Sequence, residues 1–436
     1  MRFATSMFVV LLAGIAFGQV QRGAPLARKG FFGLQTIQAD KGIRIARVVP
    51  GGLGERLGLK EGDIVLEANG TKELTPTKLA VLARAIDSGA KVAIKYLRDG
   101  QEKTAEAPMP ERPRVVEPNM DVIYDQVLNH GQRVRIIITK PKSDGKFPAL
   151  FLIGGIGAYS VDAPFASMAY GKQLGAAANA GYVTVRIDKP GQGDSEGPEY
   201  KSLAFGIEKD AYVVALRLVK TLPYIDKDRI AIFGHSMGGC FGPLVASEEP
   251  VKGLFVCGTL FKTWNEYMLE NTRRQSELSS PDAGALDESL RNLAALNHYI
   301  FDRGMNPAEV QKERPDLAAF VRGTFPDGET YSGVGIPFFR ELSRINLPRA
   351  WAGAKTSVAV IYCENDFLSG QDDHERIAKF VNSLRPGTAE FILLRQSDHI
   401  FSKTSSMRDS MDKWGKGGEF NTSILDTLLD FLKRKV

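Results

Sequence analysis

The stretch Arg229-Ile230-Ala231-Ile232-Phe233-Gly234-His235-Ser236-Met237-Gly238-Gly239 constrains the fold more than any other part of the chain. A short apolar, β-branched run reads as a buried strand, and residues 238–247 read as a helix, so Ser236 stands in a G-x-S-x-G turn between the two. The turn must be sharp. A bulky side chain at 234 or 238 would collide where strand passes into helix, and glycine removes that collision. The hydroxyl of Ser236 is then held out of the sheet, which makes it the candidate nucleophile.

The surrounding pattern supplies the sheet that such a turn needs. Residues 149–153, 183–187, 230–233, 253–257, 358–362 and 391–394 have the length and β-branched content of buried strands. Helical segments separate most of them, which predicts an α/β fold with a mainly parallel sheet covered on both faces. Two further strands, 122–128 and 133–139, precede them around a turn at His130-Gly131. Between Thr259 and Arg349 the alternation breaks into a polar, helix-like region punctuated by Ser279-Ser280-Pro281, Asn306-Pro307 and Pro326-Asp327-Gly328. That region, about 259–350, is read as a lid inserted between two strands.

A serine hydroxyl is a weak nucleophile at neutral pH and needs a base within hydrogen-bond reach and a third group to orient that base. On a strand–turn–helix scaffold of this kind the chain order is serine, acid, histidine. Of five histidines, His130 lies in a hairpin turn, His235 adjoins the serine on a turn whose neighbouring side chains diverge, His298 is in the lid, and His374 is on a helix. His399, in the loop Gln396-Ser397-Asp398-His399-Ile400-Phe401 past the last strong strand, is the candidate base. Asp366 is the candidate acid, because Cys363-Glu364-Asn365-Asp366 leaves the C-terminal end of strand 358–362; Glu364 is the second choice. Asp372 and Asp373 fit the first turn of the following helix, where acids meet the helix dipole favourably. Asp398 reads as a turn-forming or solvated residue.

Attack on a carbonyl creates an oxyanion, and each preorganised N–H donor aimed at it can contribute about 3 kcal/mol. The backbone N–H of Met237 is one expected donor. The second is expected from the loop Gly154-Gly155-Ile156-Gly157 after strand 149–153, with Gly155 preferred and Ile156 next. Cys240, Cys257 and Cys363 are too few and too far apart for a disulfide framework or a metal site, and they read as small buried residues. No metal or organic cofactor is expected.

With these residues in place, 121–436 resembles the α/β-hydrolases of the serine esterase and aminopeptidase-like group. The matching stretches are the glycine loop, Arg186-Ile187-Asp188-Lys189-Pro190-Gly191-Gln192-Gly193-Asp194-Ser195-Glu196-Gly197, the elbow at Ser236, Asp366 and His399. The D-x-x-G-x-G-x-S run is read as structural, with Asp188 and Asp194 in polar networks. The first loop lacks the His-Gly pair that many members carry. The resemblance implies hydrolysis of an acyl bond through an acyl-enzyme on a Ser236–His399–Asp366 triad, with a carboxylic ester as the leading expectation and a thioester or peptide bond as the alternatives.

Residues 30–108 carry a second resemblance. Gly30-Phe31-Phe32-Gly33-Leu34, Val48-Val49-Pro50-Gly51-Gly52 and Leu57-Gly58-Leu59-Lys60-Glu61-Gly62-Asp63-Ile64-Val65-Leu66-Glu67-Ala68-Asn69-Gly70 resemble a PDZ domain of the kind fused to exported bacterial enzymes. That implies a groove in which Phe31, Phe32, Gly33 and Leu34 receive a peptide C-terminus, with a helix over 77–87 as the opposite wall. Pro108, Pro110, Pro113 and Pro118 mark a semi-rigid linker over 109–120. A rival of a different class is a peptide-binding scaffold whose hydrolase body is inert. The joint presence of nucleophile, base and acid weighs against it.

At the N-terminus, Arg2 precedes an apolar run from Met7 to Phe17 and the small residues of Ala16-Phe17-Gly18, which predicts a signal peptide over 1–18 cleaved before Gln19. The run is far shorter than the roughly 20 residues that span a bilayer. An exported protein, periplasmic or secreted and without a stable membrane anchor, is expected. Lys plus Arg number 56 against 51 Asp plus Glu with no basic block, so nucleic acid is not an expected partner. The expected partners are a small acyl or ester substrate and a peptide C-terminus.

Overall fold

The computed structural model describes residues 20–279 and 282–436. The signal peptide expected over 1–18 lies outside the described residues, as do Ser280 and Pro281. Among the described residues, no helix is long and apolar enough to cross a membrane.

The larger domain is built on an eight-stranded sheet. From one edge its order is Ala389–Leu394, Ser357–Cys363, Gly253–Cys257, Ile225–His235, Phe147–Ile153, Val183–Ile187, Gln132–Pro141 and Met120–Asn129. The first six run parallel; the last two form an antiparallel hairpin that joins the sheet through Gln132–Pro141. Alternation along the strands sorts side chains onto two faces. Ile230, Ile232, Val256 and Val360 enter one apolar cluster, and Ala231, Phe233, Phe255 and Ile361 enter the other. Helices cover both, which is why the strands read as continuous apolar runs.

The insertion falls where the sequence pattern breaks. Gly253–Cys257 and Ser357–Cys363 are neighbouring parallel strands, and the chain between them forms the helices Trp264–Ser279, Ala283–Asn297, Pro307–Glu313, Ile336–Leu342 and Leu347–Gly353 among others. Its aromatic residues Trp264, Phe338 and Phe339 are buried.

The N-terminal module is a separate five-stranded antiparallel sheet, Leu34–Gln38, Ile43–Val48, Ile64–Ala68, Lys91–Arg98 and Gln101–Pro108, paired in chain order. It has a core of its own around Ile43, Ile45, Val65, Val92 and Ile94. Its helix is Pro76–Ala85; Thr75 caps it by accepting the Lys78 N–H, and proline at the first position suits the start.

The proline-rich stretch after this module is packed rather than free. The Phe31 N–H donates to the Pro110 carbonyl at 2.9 Å, the Arg112 N–H to the Lys29 carbonyl at 2.9 Å, and Met109 is buried. Upstream, the guanidinium of Arg28 is buried between Asp162 at 2.6 Å and Asp194 at 2.5 Å. Asp194 also accepts the Lys29 N–H at 2.9 Å. The acidic residue of the D-x-x-G-x-G-x-S run thus ties the segment leading into the module to the hydrolase body.

Candidate active site

Strand Ile225–His235 delivers Ser236 to the start of helix Met237–Glu248 with φ 55° and ψ −121°. A non-glycine residue at such φ is strained by about 1–3 kcal/mol, and the packing around it must hold it there. The flanking glycines show how. A Cβ on Gly238 would overlap the Ile153 carbonyl oxygen, and one on Gly234 would lie 2.5 Å from the Gly238 carbonyl oxygen. Crossing chains meet here with no room for a side chain.

The structure brings the candidate acid and base together. His399 Nδ1 lies 2.7 Å from Asp366 Oδ2, and both residues are buried. Asp366 leaves the end of strand Ser357–Cys363, and its other oxygen accepts the N–H groups of Leu368 at 2.7 Å and Ser369 at 3.0 Å; the Ser369 hydroxyl donates to Oδ2. Burial alone would raise this carboxyl, but the charge and hydrogen bond of His399 hold it well below the usual carboxylate range. The same pairing acts on the partner. Burial pushes the His399 imidazole down, and the Asp366 carboxylate outweighs it and raises it. Ser236 and His399 line one cavity of about 360 Å³ without a direct hydrogen bond between their side chains. Such bonds are often long or absent before substrate binds.

The other candidates separate cleanly. Glu364 turns away to Arg395 and the Gln396 N–H. Asp398 accepts the N–H groups of Ile400 and Ser402, a turn-former inside the protein. His374 accepts the Thr259 N–H and donates to the Gly370 carbonyl, and burial brings it down to about 4. His130 and His298 meet Asp210 and Asp302 at exposed positions. Glu270, Asp372 and Asp373 are close enough to hold a cation, and the Lys262 ammonium already sits among them. Cys240, Cys257 and Cys363 are buried and form no disulfide, although the fold brings the Sγ atoms of Cys257 and Cys363 to 3.6 Å.

Two residues near the site were not anticipated. Gly258, at φ 63° just past strand Gly253–Cys257, faces His399: a Cβ there would lie 2.8 Å from its Cε1. The visible signal was a glycine at the C-terminal end of a strand beside the elbow. His235 lies beneath the base, where its Nε2–H donates to the His399 carbonyl at 2.7 Å and its Nδ1 accepts the Tyr170 hydroxyl at 3.0 Å. Burial drives its imidazole down to about 3, so it stays neutral.

The expectation for Gly155 needs correction. Its N–H donates to Tyr170 Oη at 2.8 Å, so it is not offered to the cavity. Ile156, the next residue, lines the cavity with Ser236 and Met237, and its N–H has no partner among the described residues. Met237 opens its helix, where first-turn amides have no partner within the helix.

A second cavity, of about 680 Å³, lies between the domains. Phe31, Phe32, Gly33 and Leu34 line it with Leu79 and Ala83 of the helix, Arg112 to Val115 of the proline-rich stretch, and Tyr159 to Pro164 in part from the hydrolase. The Phe31 N–H is taken by Pro110, whereas those of Phe32 and Gly33 have no partner among the described residues.

Comparison with known proteins agrees with both halves. Residues 150–409 match the Alpha/beta hydrolase family, and residues 30–109 match the PDZ domain. The probable dipeptidyl peptidase 4 of Neosartorya fischeri is 28% identical over 185 residues, 40% of this chain and 23% of that protein. The probable periplasmic serine endoprotease DegP-like of Marinomonas sp. is 37% identical over 77 residues, 18% of this chain and 16% of that protein. The uncharacterized peptidase YtmA of Bacillus subtilis is 33% identical over 122 residues, 28% of this chain and 44% of that protein. The chain therefore spans less than half the length of each of these relatives.

Proposed function

The chain belongs to the alpha/beta hydrolase family and carries a PDZ domain ahead of the hydrolase fold, and on that premise we propose that it is an exported serine hydrolase of carboxylic esters. One observation carries the choice of bond. The cavity over Ser236 is walled by Leu260, Trp264, Tyr267, Tyr331 and Phe339, with neutral Asn271, Gln275 and Ser332, and the described residues lining it include no Asp, Glu, Lys or Arg. A charged peptide amine buried here would have no carboxylate partner, at heavy cost, whereas a neutral acyl group gains by leaving water.

In the proposed reaction His399 Nε2 takes the Ser236 hydroxyl proton as Oγ attacks the ester carbonyl. Asp366 keeps the Nδ1–H in place and stabilises the imidazolium. The N–H groups of Met237 and Ile156 receive the oxyanion. His399 then protonates the leaving alkoxide, and water, activated by the same base, releases the acid. The groove at Phe32 and Gly33 is assigned to a peptide C-terminus, whose carboxylate would meet their unpartnered N–H groups. Export rests on the charged, apolar and small-residue pattern of 1–18 and is supported by the relative named as periplasmic.

The peptidase names of the relatives favour a second reading, cleavage of a peptide bond at the same serine. Rates on p-nitrophenyl esters of graded chain length, set beside dipeptidyl p-nitroanilides, decide between them. Ester turnover that disappears in folded Ser236→Ala supports the ester reading. Anilide turnover without ester turnover replaces it with the peptidase reading.

A further inference from the structure

The glycine loop beside Ser236 is held by side chains from several other places in the fold. The Gly155 N–H donates to Tyr170 Oη at 2.8 Å and the Gly157 N–H to Tyr200 Oη at 3.0 Å. Lys189 Nζ donates to the Gly155 carbonyl at 2.6 Å and to the Gly157 carbonyl at 3.2 Å, and Tyr159 Oη adds a bond to the Gly155 carbonyl at 2.9 Å. Lys189 is 3% exposed and meets Glu208 at 3.1 Å. Glu208 in turn accepts the hydroxyls of Tyr200 and Tyr212. A buried ion pair of this kind gains little stability over apolar residues of the same volume. Its value lies elsewhere.

Peptide planarity supplies the reason. In a trans peptide the C=O and N–H point in opposite directions, and the described residues contain no cis peptide bond. The Gly155 carbonyl is drawn toward Lys189 and Tyr159, so the N–H of the same peptide unit, that of Ile156, points to the other side. Ile156 and Ser236 line one cavity, and a Cβ on Gly155 would lie 3.6 Å from Ser236 Oγ, so this peptide unit borders the serine. With the N–H and carbonyl groups of Gly155 and Gly157 already bonded, the Ile156 N–H, which has no partner among the described residues, is the amide between them left to meet a ligand.

We infer that Lys189 is a positioning residue of the active site, whose buried ammonium fixes the Gly155 and Gly157 carbonyls so that the Ile156 N–H joins that of Met237 at the substrate's carbonyl oxygen. The inference rests on the proposed hydrolase reading of Ser236. Within the D-x-x-G-x-G-x-S run it gives the lysine a task that the glycines and aspartates do not share. Tyr159 gives the same carbonyl a second donor at 2.9 Å, with the Lys189 ammonium 4.8 Å from its ring centroid.

A fluorophosphonate tests this without knowledge of the acyl group, because its phosphonyl oxygen takes the oxyanion's place. Ser236 Oγ forms the O–P bond, the P–F bond breaks, fluoride leaves and His399 takes the serine proton. Labelling of the full chain is followed in the wild type, in Ser236→Ala and in the double variant Lys189→Met/Glu208→Gln, which removes both charges so that neither is buried alone. The expected result is no label in Ser236→Ala and a maximal labelling rate about 100-fold lower in the double variant, with the concentration for half-maximal rate within about twofold of wild type because the cavity walls are untouched. A folded double variant labelled as fast as wild type overturns the inference and leaves the hydrolase reading standing. A folded wild type that takes no label overturns that reading itself.

Should the double variant not fold, Lys189→Arg reads the same point. It keeps the charge beside Glu208 while its planar fork directs donors differently. A charge-only role predicts wild-type labelling, which would overturn the inference; a fall of about tenfold in maximal rate supports it.

Discussion

The cavity over Ser236 and the groove between the domains differ in size, lining and construction. The first, of about 360 Å³, has neutral, partly aromatic walls, and beside its serine the N–H and carbonyl groups of Gly155 and Gly157 are bonded to buried side chains, which leaves the Ile156 N–H between them unpartnered among the described residues. The second, of about 680 Å³, is bordered by Arg112, Arg114 and Asp162 and retains unpartnered N–H groups at Phe32 and Gly33. A small, preorganised cavity suits work on one bond, where misplacement by about 1 Å can cost 100-fold in rate. A larger groove with free amides suits an extended chain whose main-chain groups supply affinity. The two share a segment: Ile156 and Gly157 line the first cavity, and Ala158 to Ser160 line the second.

The contrast can be broken from the catalytic side first. Asp366→Asn should lower kcat/KM about 10⁴-fold while leaving peptide affinity at the groove unchanged, read by ester hydrolysis beside fluorescence titration of a C-terminal peptide. Its residual activity should also shift in pH. The base works when neutral, so wild-type kcat/KM falls as pH drops through the raised pKa of His399. Without the Asp366 carboxylate, burial is opposed only by the charge of Asp398 and the pKa falls, so the acid limb should move to lower pH. An unmoved limb would mean that another group controls the profile.

A smaller loss is expected at Gly258. Gly258→Ala places a methyl 2.8 Å from His399 Cε1 at φ 63°, which should displace the imidazole and reduce kcat about 100-fold with KM little changed. Steady-state rates on an ester, with a melting curve to confirm folding, check it. The smallest effect on catalysis belongs to the groove. Gly33→Ala puts a methyl 2.6 Å from Gly52 Cα at φ 63°, so the loop must rearrange and peptide affinity should fall about tenfold or more, while ester turnover stays within about twofold. A matching loss of turnover would show that the groove and the active site are coupled.

Much of this was legible because the signals are local. Ser236, Asp366 and His399 each follow a strand that the apolar runs marked, and in a parallel sheet the C-terminal strand ends gather on one edge. The elbow glycines could be read from sterics alone. What escaped depended on partners far along the chain. His235 was set aside because adjacent side chains on a turn diverge, yet its divergence carries it beneath the backbone of His399, 164 residues later. Between Gly155 and Ile156 the local sequence holds no signal that decides which amide stays free. The choice between them is made by Tyr170, Tyr159 and Lys189. The proline-rich stretch looked like a spacer because prolines stiffen a chain; its packing comes from backbone pairing with Lys29 and Phe31 and a contact to Ser160.

The sequence by itself determined the two domains, the strand-and-helix alternation, the serine turn and the candidates for acid and base, because periodicity, glycine sterics and position at a strand end are legible over a few residues. Only the tertiary structure decided that Tyr170 takes the Gly155 amide, why Gly258 must lack a side chain, and that the loop 31–34 opens against the hydrolase. A hydrogen bond has direction as well as strength, and here that direction is set by groups that only the folded chain brings within 3 Å of one another.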